Sequence, residues 1–120
     1  GEHTGRYKEW AGMFANEKFA LTALDLPGHG RSEGGRGRIR RYRDLYEMID
    51  ILITTASRTF PGVPVYLYGH SMGGGIVLDY TLKFKPKIKA VISTSPWLKL
   101  SYNPPKMKVL LAMVAKAIMP

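Results

Sequence analysis

The chain has 120 residues, a formal net charge of +9 and no cysteine, so it is at most one domain and uses neither disulfides nor thiolate chemistry. No apolar run approaches the about 20 residues that span a bilayer, and no signal peptide is visible in the sequence. Residues 72–120 hold eight lysines and a single acid, Asp79. A basic half can indicate an anionic partner, but acids in polypeptide outside this sequence would also balance it, and we favour that interpretation.

The first half of the chain predicts a helix, a strand and a second helix. A short amphipathic helix is expected between Arg6 and Phe14, where apolar residues recur at helical spacing. Residues 19–26 (FALTALDL) are mostly apolar and end in PGHG, which predicts a buried strand followed by a turn. After the polar loop GRSEGGRGR comes the strongest helical pattern, which ends before the breaker sequence FPGVP. Its apolar face consists of Tyr42, Leu45, Tyr46, Ile49, Leu52, Ile53 and Ala56.

The second half repeats the alternation of strand and helix. Strands are predicted at residues 65–68 (VYLY) and 88–94 (IKAVIST), with a helix between them that starts near Met72. On that helix Asp79 and Lys83 stand four residues apart as a surface ion pair. Residues 103–105 (NPP) predict a helix cap with proline in the first turn, and the last helix then carries Met107, Leu110, Leu111, Val114 and Ile118. Apolar strands alternating with amphipathic helices predict an α/β fold, with a parallel sheet covered on both faces.

The motif G-x-S-x-G stands at Gly69-His70-Ser71-Met72-Gly73, between a predicted strand and a predicted helix. In that setting a sharp, strained turn lifts the serine hydroxyl above the sheet as a nucleophile, and the flanking glycines are expected to avoid a clash with backbone. The N terminus of the helix points at negative charge that develops beside the serine, and the Met72 N–H would donate to an oxyanion. The alternatives are a closely packed glycine turn or a phosphate cradle; no lysine follows the glycines, unlike in a phosphate loop.

The sequence contains no evident base for this serine. No histidine follows Ser71, although the order in α/β-hydrolases is serine, acid, histidine. Asp79 lies two turns along the serine's own helix and points elsewhere. His70 is expected to pack or hydrogen-bond, because adjacent side chains in an elbow diverge, and His3 and His29 precede the serine. We therefore expect half a catalytic apparatus, carried by a fragment.

Three motifs in order resemble the monoacylglycerol lipase and lysophospholipase group of serine α/β-hydrolases: GEHTGRY (1–7), DLPGHGRSEG (25–34) and YGHSMGGG (68–75). The resemblance implies a serine esterase that cleaves monoacylglycerol or lysophospholipid through an acyl-enzyme, with Ser71 as nucleophile and Met72 as oxyanion donor. Residues 1–100 would be a partial hydrolase core. SPWLKL (95–100) resembles the entry into the family's cap, so residues 101–120 would begin the cap or lid. Asp25, Gly28, His29 and Gly30 would shape a loop beside the active site.

The resemblance also places missing parts outside the chain. Gly1 would be the last glycine of a His-Gly-x-Gly loop that supplies a second oxyanion donor, and the triad acid and histidine would follow residue 120. A strand before Gly1 would lie between the strands at 19–26 and 65–68. Without it two strands keep unpaired edges, so the isolated 120 residues are expected to fold poorly and to be inactive.

The remaining features leave several interpretations open. Arg36, Arg38, Arg40, Arg41 and Arg43 could bind phosphates, but a solvated loop and helix start is favoured, and no nucleic acid is expected. The last helix, at 105–119, could contact a membrane or micelle or could pack as a lid. No metal or organic cofactor is implied, and a cytoplasmic or peripheral membrane location is favoured over secretion. The rival functions are an inactive remnant or binding scaffold, and another esterase or acyltransferase on the same fold.

Overall fold

The computed structural model describes residues 2–99 and 103–118. A 3-10 turn at Thr4–Tyr7 leads into α1 (Lys8–Asn16), and a long loop connects α1 to α2 (Tyr42–Thr59). The second half alternates β1 (Tyr66–His70), α3 (Met72–Phe84), β2 (Ala90–Thr94) and α4 (Lys106–Ile118). The predicted helices and the second and third predicted strands are therefore confirmed, with boundaries shifted by a few residues.

The two strands form a parallel pair in direct register, from Tyr66 opposite Ala90 to His70 opposite Thr94. α3 connects them, so the second half is a strand-helix-strand unit whose strands end at the same edge. Side chains alternate along β1, and Leu67 and Gly69 are buried while their neighbours are exposed. This parallel sheet with flanking helices confirms the predicted α/β fold class.

The hydrophobic core lies between the sheet and two helices. Leu67 of β1 is 3% exposed and packs with residues of α2 and α3 that are equally buried. The helical members of this core are Leu45, Ile49, Ile76, Val77 and Tyr80. The apolar stripe that the sequence predicts for residues 42–56 therefore faces the core at Leu45 and Ile49.

Tyrosine hydroxyls join α2 to α3 at the margin of this core. Tyr46 donates to the Asp79 carboxylate, and Lys83 bonds both groups at 2.7 and 2.9 Å. Tyr80 donates to Asp50, and its burial together with this bond raises the pKa of Tyr80 to about 12. The hydrogen bond from Tyr46 and that from Lys83 lower the pKa of Asp79. The predicted surface ion pair of Asp79 with Lys83 is confirmed, and Asp79 is in addition a contact between the two helices, which the sequence did not predict.

The prediction that helices cover both faces of the sheet is wrong for the described part of the chain. α2 and α3 both lie on the side of Leu67. On the other face Tyr66, Tyr68 and Ile92 are 49%, 44% and 48% exposed. Within residues 2–99 and 103–118 no second helical layer packs on this face of the sheet. Its apolar side chains are therefore open to solvent.

The strand predicted at residues 19–26 is also absent from the structure, which has no regular element there. Its apolar residues Phe19, Leu21 and Leu24 are 40–56% exposed. A strand needs the backbone hydrogen bonds of a neighbour, and in the described residues the β1–β2 pair offers none to this segment. Apolar composition alone could not supply that partner.

The last helix begins one step later than predicted. Both prolines precede α4, and the Pro105 carbonyl accepts the hydrogen bond of the Val109 N–H at 3.2 Å. Pro105 therefore occupies the capping position, and proline does not lie in the first turn. None of the helices in the described ranges is long and apolar enough to cross a membrane.

Candidate active site

Ser71 stands alone between the end of β1 and the first residue of α3. Its φ of 54° and ψ of −119° lie in a region that residues with a Cβ rarely adopt, so the backbone is strained at this position. The residue is exposed. The strand-turn-helix geometry that the motif predicts is therefore present, with the serine at its sharpest point.

Three hydrogen bonds hold the strained backbone of Ser71. Its N–H donates to the Thr94 carbonyl at 3.0 Å, and its own carbonyl accepts from Trp97 at 2.9 Å and from Gly75 at 3.2 Å. Thr94 and Trp97 belong to the end of β2 and the segment that follows it. The elbow is thus held by residues at and beyond the carboxyl end of the neighbouring strand, which lie outside the G-x-S-x-G motif.

Gly69 and Gly73, which flank the serine in the motif, differ in what they require. A Cβ on Gly69 would lie 2.6 Å from the Gly73 carbonyl carbon and 2.8 Å from a methyl group of Val77. Position 69 therefore has no room for a side chain. A Cβ on Gly73 would meet nothing within 4 Å, so the prediction of a clash there is wrong. The strand side of the turn is crowded, and the first turn of the helix faces open space at that point.

The next two glycines bring α3 close to the chain beyond β2. A Cβ on Gly74 would lie 2.8 Å from Ser93 Oγ, and one on Gly75 would lie 2.6 Å from the Trp97 carbonyl oxygen. Close packing against the neighbouring strand thus offsets the low helix propensity of this glycine run. Ser93 Oγ is buried there without a hydrogen-bond partner among residues 2–99 and 103–118.

The first N–H groups of α3 lie beside Ser71. Within the described ranges the Met72 N–H makes no hydrogen bond, as expected for the first residue of a helix. The positive end of the helix dipole lies at the same point. Both the Met72 N–H and the helix dipole would stabilise an oxygen that gains negative charge near Ser71.

The loop after residues 19–26 is organised around Asp25. Its carboxylate accepts from the Thr4 N–H at 2.6 Å and from the Arg31 N–H at 2.8 Å. These two bonds, the Thr4 bond first, lower the pKa of Asp25. Gly30 has a φ of +51°, and a Cβ there would overlap the Asp25 carboxylate. Asp25 thus connects the start of the first helical segment to the PGHG turn.

Gly28 and His29 complete this turn. Gly28, at a φ of +71°, is buried, and its N–H donates to the Glu33 carbonyl at 3.0 Å. His29 places Nδ1 3.0 Å from the Pro27 carbonyl oxygen, within the same turn. The local contacts of Asp25, Gly28, His29 and Gly30 are those of a loop that holds its own shape.

No histidine reaches the serine hydroxyl in the described part of the chain. His70 uses Nδ1 to contact Thr94 Oγ1 at 3.0 Å, and Tyr68 contacts that hydroxyl at the same distance. His29 is engaged within its own turn. The chemistry that Ser71 can do with these neighbours alone is limited, because an alcohol without a general base is a weak nucleophile.

Comparison with known proteins places this geometry in a family. The profile of the family described as serine aminopeptidase, S33, matches residues 1–120. The chain is 37% identical to a monoacylglycerol lipase of Mycolicibacterium smegmatis over 79% of its length, and 35% identical to the monoglyceride lipase of Homo sapiens over 100%. A phospholipase of Bacillus subtilis is 37% identical over 82% of the chain. The crystal structure of Paleococcus ferrophilus monoacylglycerol lipase superposes with a TM-score of 0.76, at 36% identity over 100% of this chain.

The chain belongs to the monoacylglycerol lipase-like α/β hydrolases. It spans 34%, 38% and 40% of the lengths of the bacterial lipase, the phospholipase and the human lipase, and 44% of the Paleococcus chain. The resemblance expected from three short motifs is thereby confirmed for the family and for the fold.

Sequence reasoning missed part of the site of this monoacylglycerol lipase-like chain. Thr94 and Trp97 hold the backbone of Ser71 through their own backbone atoms, and a backbone contact leaves no residue-type pattern. The one available signal was topological. Two parallel strands joined by the elbow helix end at the same edge, so the residues that follow β2 had to lie beside Ser71.

Proposed function

We propose that the chain is the nucleophile-bearing part of a serine hydrolase that cleaves carboxylic esters of the monoacylglycerol or lysophospholipid type. The observation that carries the proposal is the strained, exposed backbone of Ser71 between a strand and the N terminus of a helix. The names of the relatives, two lipases of monoacylglycerols and a phospholipase, support this substrate class.

The proposed reaction proceeds through an acyl-enzyme. Ser71 Oγ attacks the ester carbonyl carbon while its proton passes to a histidine, and the Met72 N–H and the end of α3 stabilise the resulting oxyanion. The tetrahedral intermediate collapses, and the alcohol leaves with the proton from the histidine. Water then attacks the acyl-enzyme by the same route in reverse, which releases the fatty acid and restores the Ser71 hydroxyl.

We assign the histidine and the acid that orients it to polypeptide outside these 120 residues. The support is that no histidine follows Ser71 in the sequence and that the matched relatives are more than twice as long as the aligned part. The same reasoning gives the isolated chain little or no activity. Asp25, Gly28, His29 and Gly30 then serve as a loop that shapes the site, without a part in proton transfer.

A fluorophosphonate probe tests the assignment of Ser71 directly, since it forms a covalent bond only with an activated serine. We expect the intact protein to be labelled once, on a peptide containing Ser71, and the Ser71→Ala variant to lose both label and ester hydrolysis by about 10³-fold or more. Ser57→Ala is the matched control, because Ser57 is an exposed serine of α2 and lies outside the elbow motif. Mass spectrometry locates the adduct.

Two results would overturn the assignment. Labelling of the Ser71→Ala variant at the rate of the parent would place the nucleophile elsewhere. An intact protein that is folded yet takes no label would favour the inactive remnant or binding scaffold.

An acyltransferase would take the label at Ser71 but pass its acyl group to an added alcohol in preference to water, which product analysis distinguishes.

We further propose that residues 1–100 form the catalytic core and that residues 101–120 begin a lid that contacts lipid aggregates. In the described part of α4, apolar side chains are open to solvent: Leu110 and Leu111 are 56% and 61% exposed, and Met107 is 67% exposed. Lys106 and Lys108, also exposed, could face anionic headgroups. An exposed apolar helix with lysines suits a surface that admits acyl chains from a micelle or membrane.

Replacement of Leu110 and Leu111 by aspartate tests the lid. We expect the double variant of the intact protein to lose about tenfold or more of its activity on aggregated lipid, because it removes two exposed leucines that would enter the lipid surface and puts two negative charges in their place. Hydrolysis of a short soluble ester should change little. Measurement of both rates on one preparation makes the comparison internal, and an equal loss on both substrates would contradict an interfacial role.

A further inference from the structure

A basic groove lies between the start of the chain and the loop that follows residues 19–26. It is open to solvent and has a volume of about 630 Å³. Its basic side chains come from two separate segments: His3 and Lys8 from the start of the chain, Arg31 and Arg36 from the loop. Because these residues are distant in sequence, the fold brings them together.

Lys8, Arg31 and Arg36 of this groove have no acidic partner in the described ranges, a feature that they share with Arg38, Arg40 and Arg58 but not with every arginine. Arg6, Arg41 and Arg43 each pair with a carboxylate within four residues, at 2.5 to 3.2 Å. Within residues 2–99 and 103–118, Lys8 and Arg31 make no ion pair, and Arg36 donates only to the Gly30 carbonyl. Their charge is therefore available to a ligand.

The single carboxylate in the groove, Asp25, offsets only one of these positive charges. Its oxygens accept from the Thr4 and Arg31 backbone N–H groups, and the Gly30 backbone packs against them. With Lys8, Arg31 and Arg36 against Asp25, the groove carries a formal charge of +2 when His3 is neutral. Asp25 in turn fixes the distance between the two walls, since it bonds Thr4 on one side and Arg31 on the other.

We propose that this groove binds a phosphate group, either free in solution or carried by a lipid headgroup. A phosphate has several acceptor oxygens and at least one negative charge, and guanidinium and ammonium groups from separate walls can bond it from different sides. The proposal does not rest on the esterase function, because Ser71 does not line the groove. Failure of one therefore leaves the other standing.

Calorimetric titration of the intact protein with inorganic phosphate at low ionic strength tests the site. We expect saturable binding with one phosphate per chain, and we expect Arg31→Gln to weaken the affinity by about tenfold or more, since one charged hydrogen bond is lost. Arg31→Gln keeps the backbone N–H that Asp25 uses. Arg58→Gln is the matched control, because it removes the same charge from an exposed position on α2 and should bind phosphate like the parent.

Lys8→Gln provides a second variant on the opposite wall, and circular dichroism establishes that each variant is folded. Sedimentation with vesicles of phosphatidylcholine, with and without phosphatidic acid, identifies the source of the phosphate. A parallel loss of vesicle and phosphate binding in the Arg31 and Lys8 variants assigns a lipid headgroup, whereas loss of phosphate binding alone assigns a soluble ligand. Equal phosphate affinity in the parent, Arg31→Gln and Arg58→Gln proteins would overturn the site, as would no binding to the parent.

Discussion

The helices α3 and α4 have the same length, 13 residues, and both are rich in apolar side chains, yet α3 has a buried face and the described side chains of α4 are all exposed. In α3, Ile76, Val77 and Tyr80 are at most 5% exposed. In α4, Leu111 and Met113 are 61% and 66% exposed. The spacing of apolar residues predicts a helix for both segments. It does not predict which of the two helices packs in the core.

The difference begins with the backbone contacts of each helix. α3 starts at the elbow and lies against both strands, with glycines at the points of closest approach. α4 follows two prolines and has no comparable contact with the sheet in the described part of the chain. A helix that is anchored this closely contributes to stability, whereas an exposed one is free to serve another surface.

Alanine substitution in the two helices is the strongest way to test this contrast. We expect Ile76→Ala to lower the free energy of unfolding of the purified protein by about 2–5 kcal/mol, because Ile76 is 4% exposed and its removal leaves a cavity. Leu111→Ala should change the same free energy by no more than about 0.5 kcal/mol, since Leu111 is already largely in solvent. Urea denaturation measures both.

Similar losses of unfolding free energy in Ile76→Ala and Leu111→Ala would contradict the contrast between α3 and α4. That result would mean that α4 is covered in the intact protein and contributes to a core of its own. A small change in the free energy of unfolding of Ile76→Ala would also contradict it, because the loss of a buried side chain should leave a destabilising cavity.

The sequence predicted the parts of the fold whose stability is local or repeats along the chain. The stripe from Tyr42 to Ala56 identified α2, and the G-x-S-x-G spacing placed Ser71 at a turn between a strand and a helix. Both signals are carried by residue types at fixed offsets. They need no knowledge of what lies elsewhere in the molecule.

The predictions that failed depended on partners that the pattern does not encode. Residues 19–26 have the composition of a buried strand, but no neighbour supplies the hydrogen bonds in the described structure. Tyr46 packs against the core as its place on the apolar face predicts, but the pattern did not predict that its hydroxyl also bonds Asp79 of α3. The contact between Trp97 and Ser71 joins backbone atoms, so no pattern of side chains predicts it. Likewise the basic groove exists only once the loop has folded back on the first helical segment.

The close approach of α3 to β1 offers the finer test of why α3 is buried. We expect Gly69→Ala to destabilise the protein by about 1–3 kcal/mol, because the new methyl group would push the Gly73 carbonyl and Val77 away from the strand. Gly73→Ala adds the same methyl group four residues later, where it meets nothing within 4 Å, and should leave stability unchanged or raise it by up to about 1 kcal/mol. Urea unfolding of the two variants isolates the effect of position from that of the added group. If both variants lose stability equally, the crowding at Gly69 is not what holds α3 against the strand, and the burial of α3 would rest on its side chains alone.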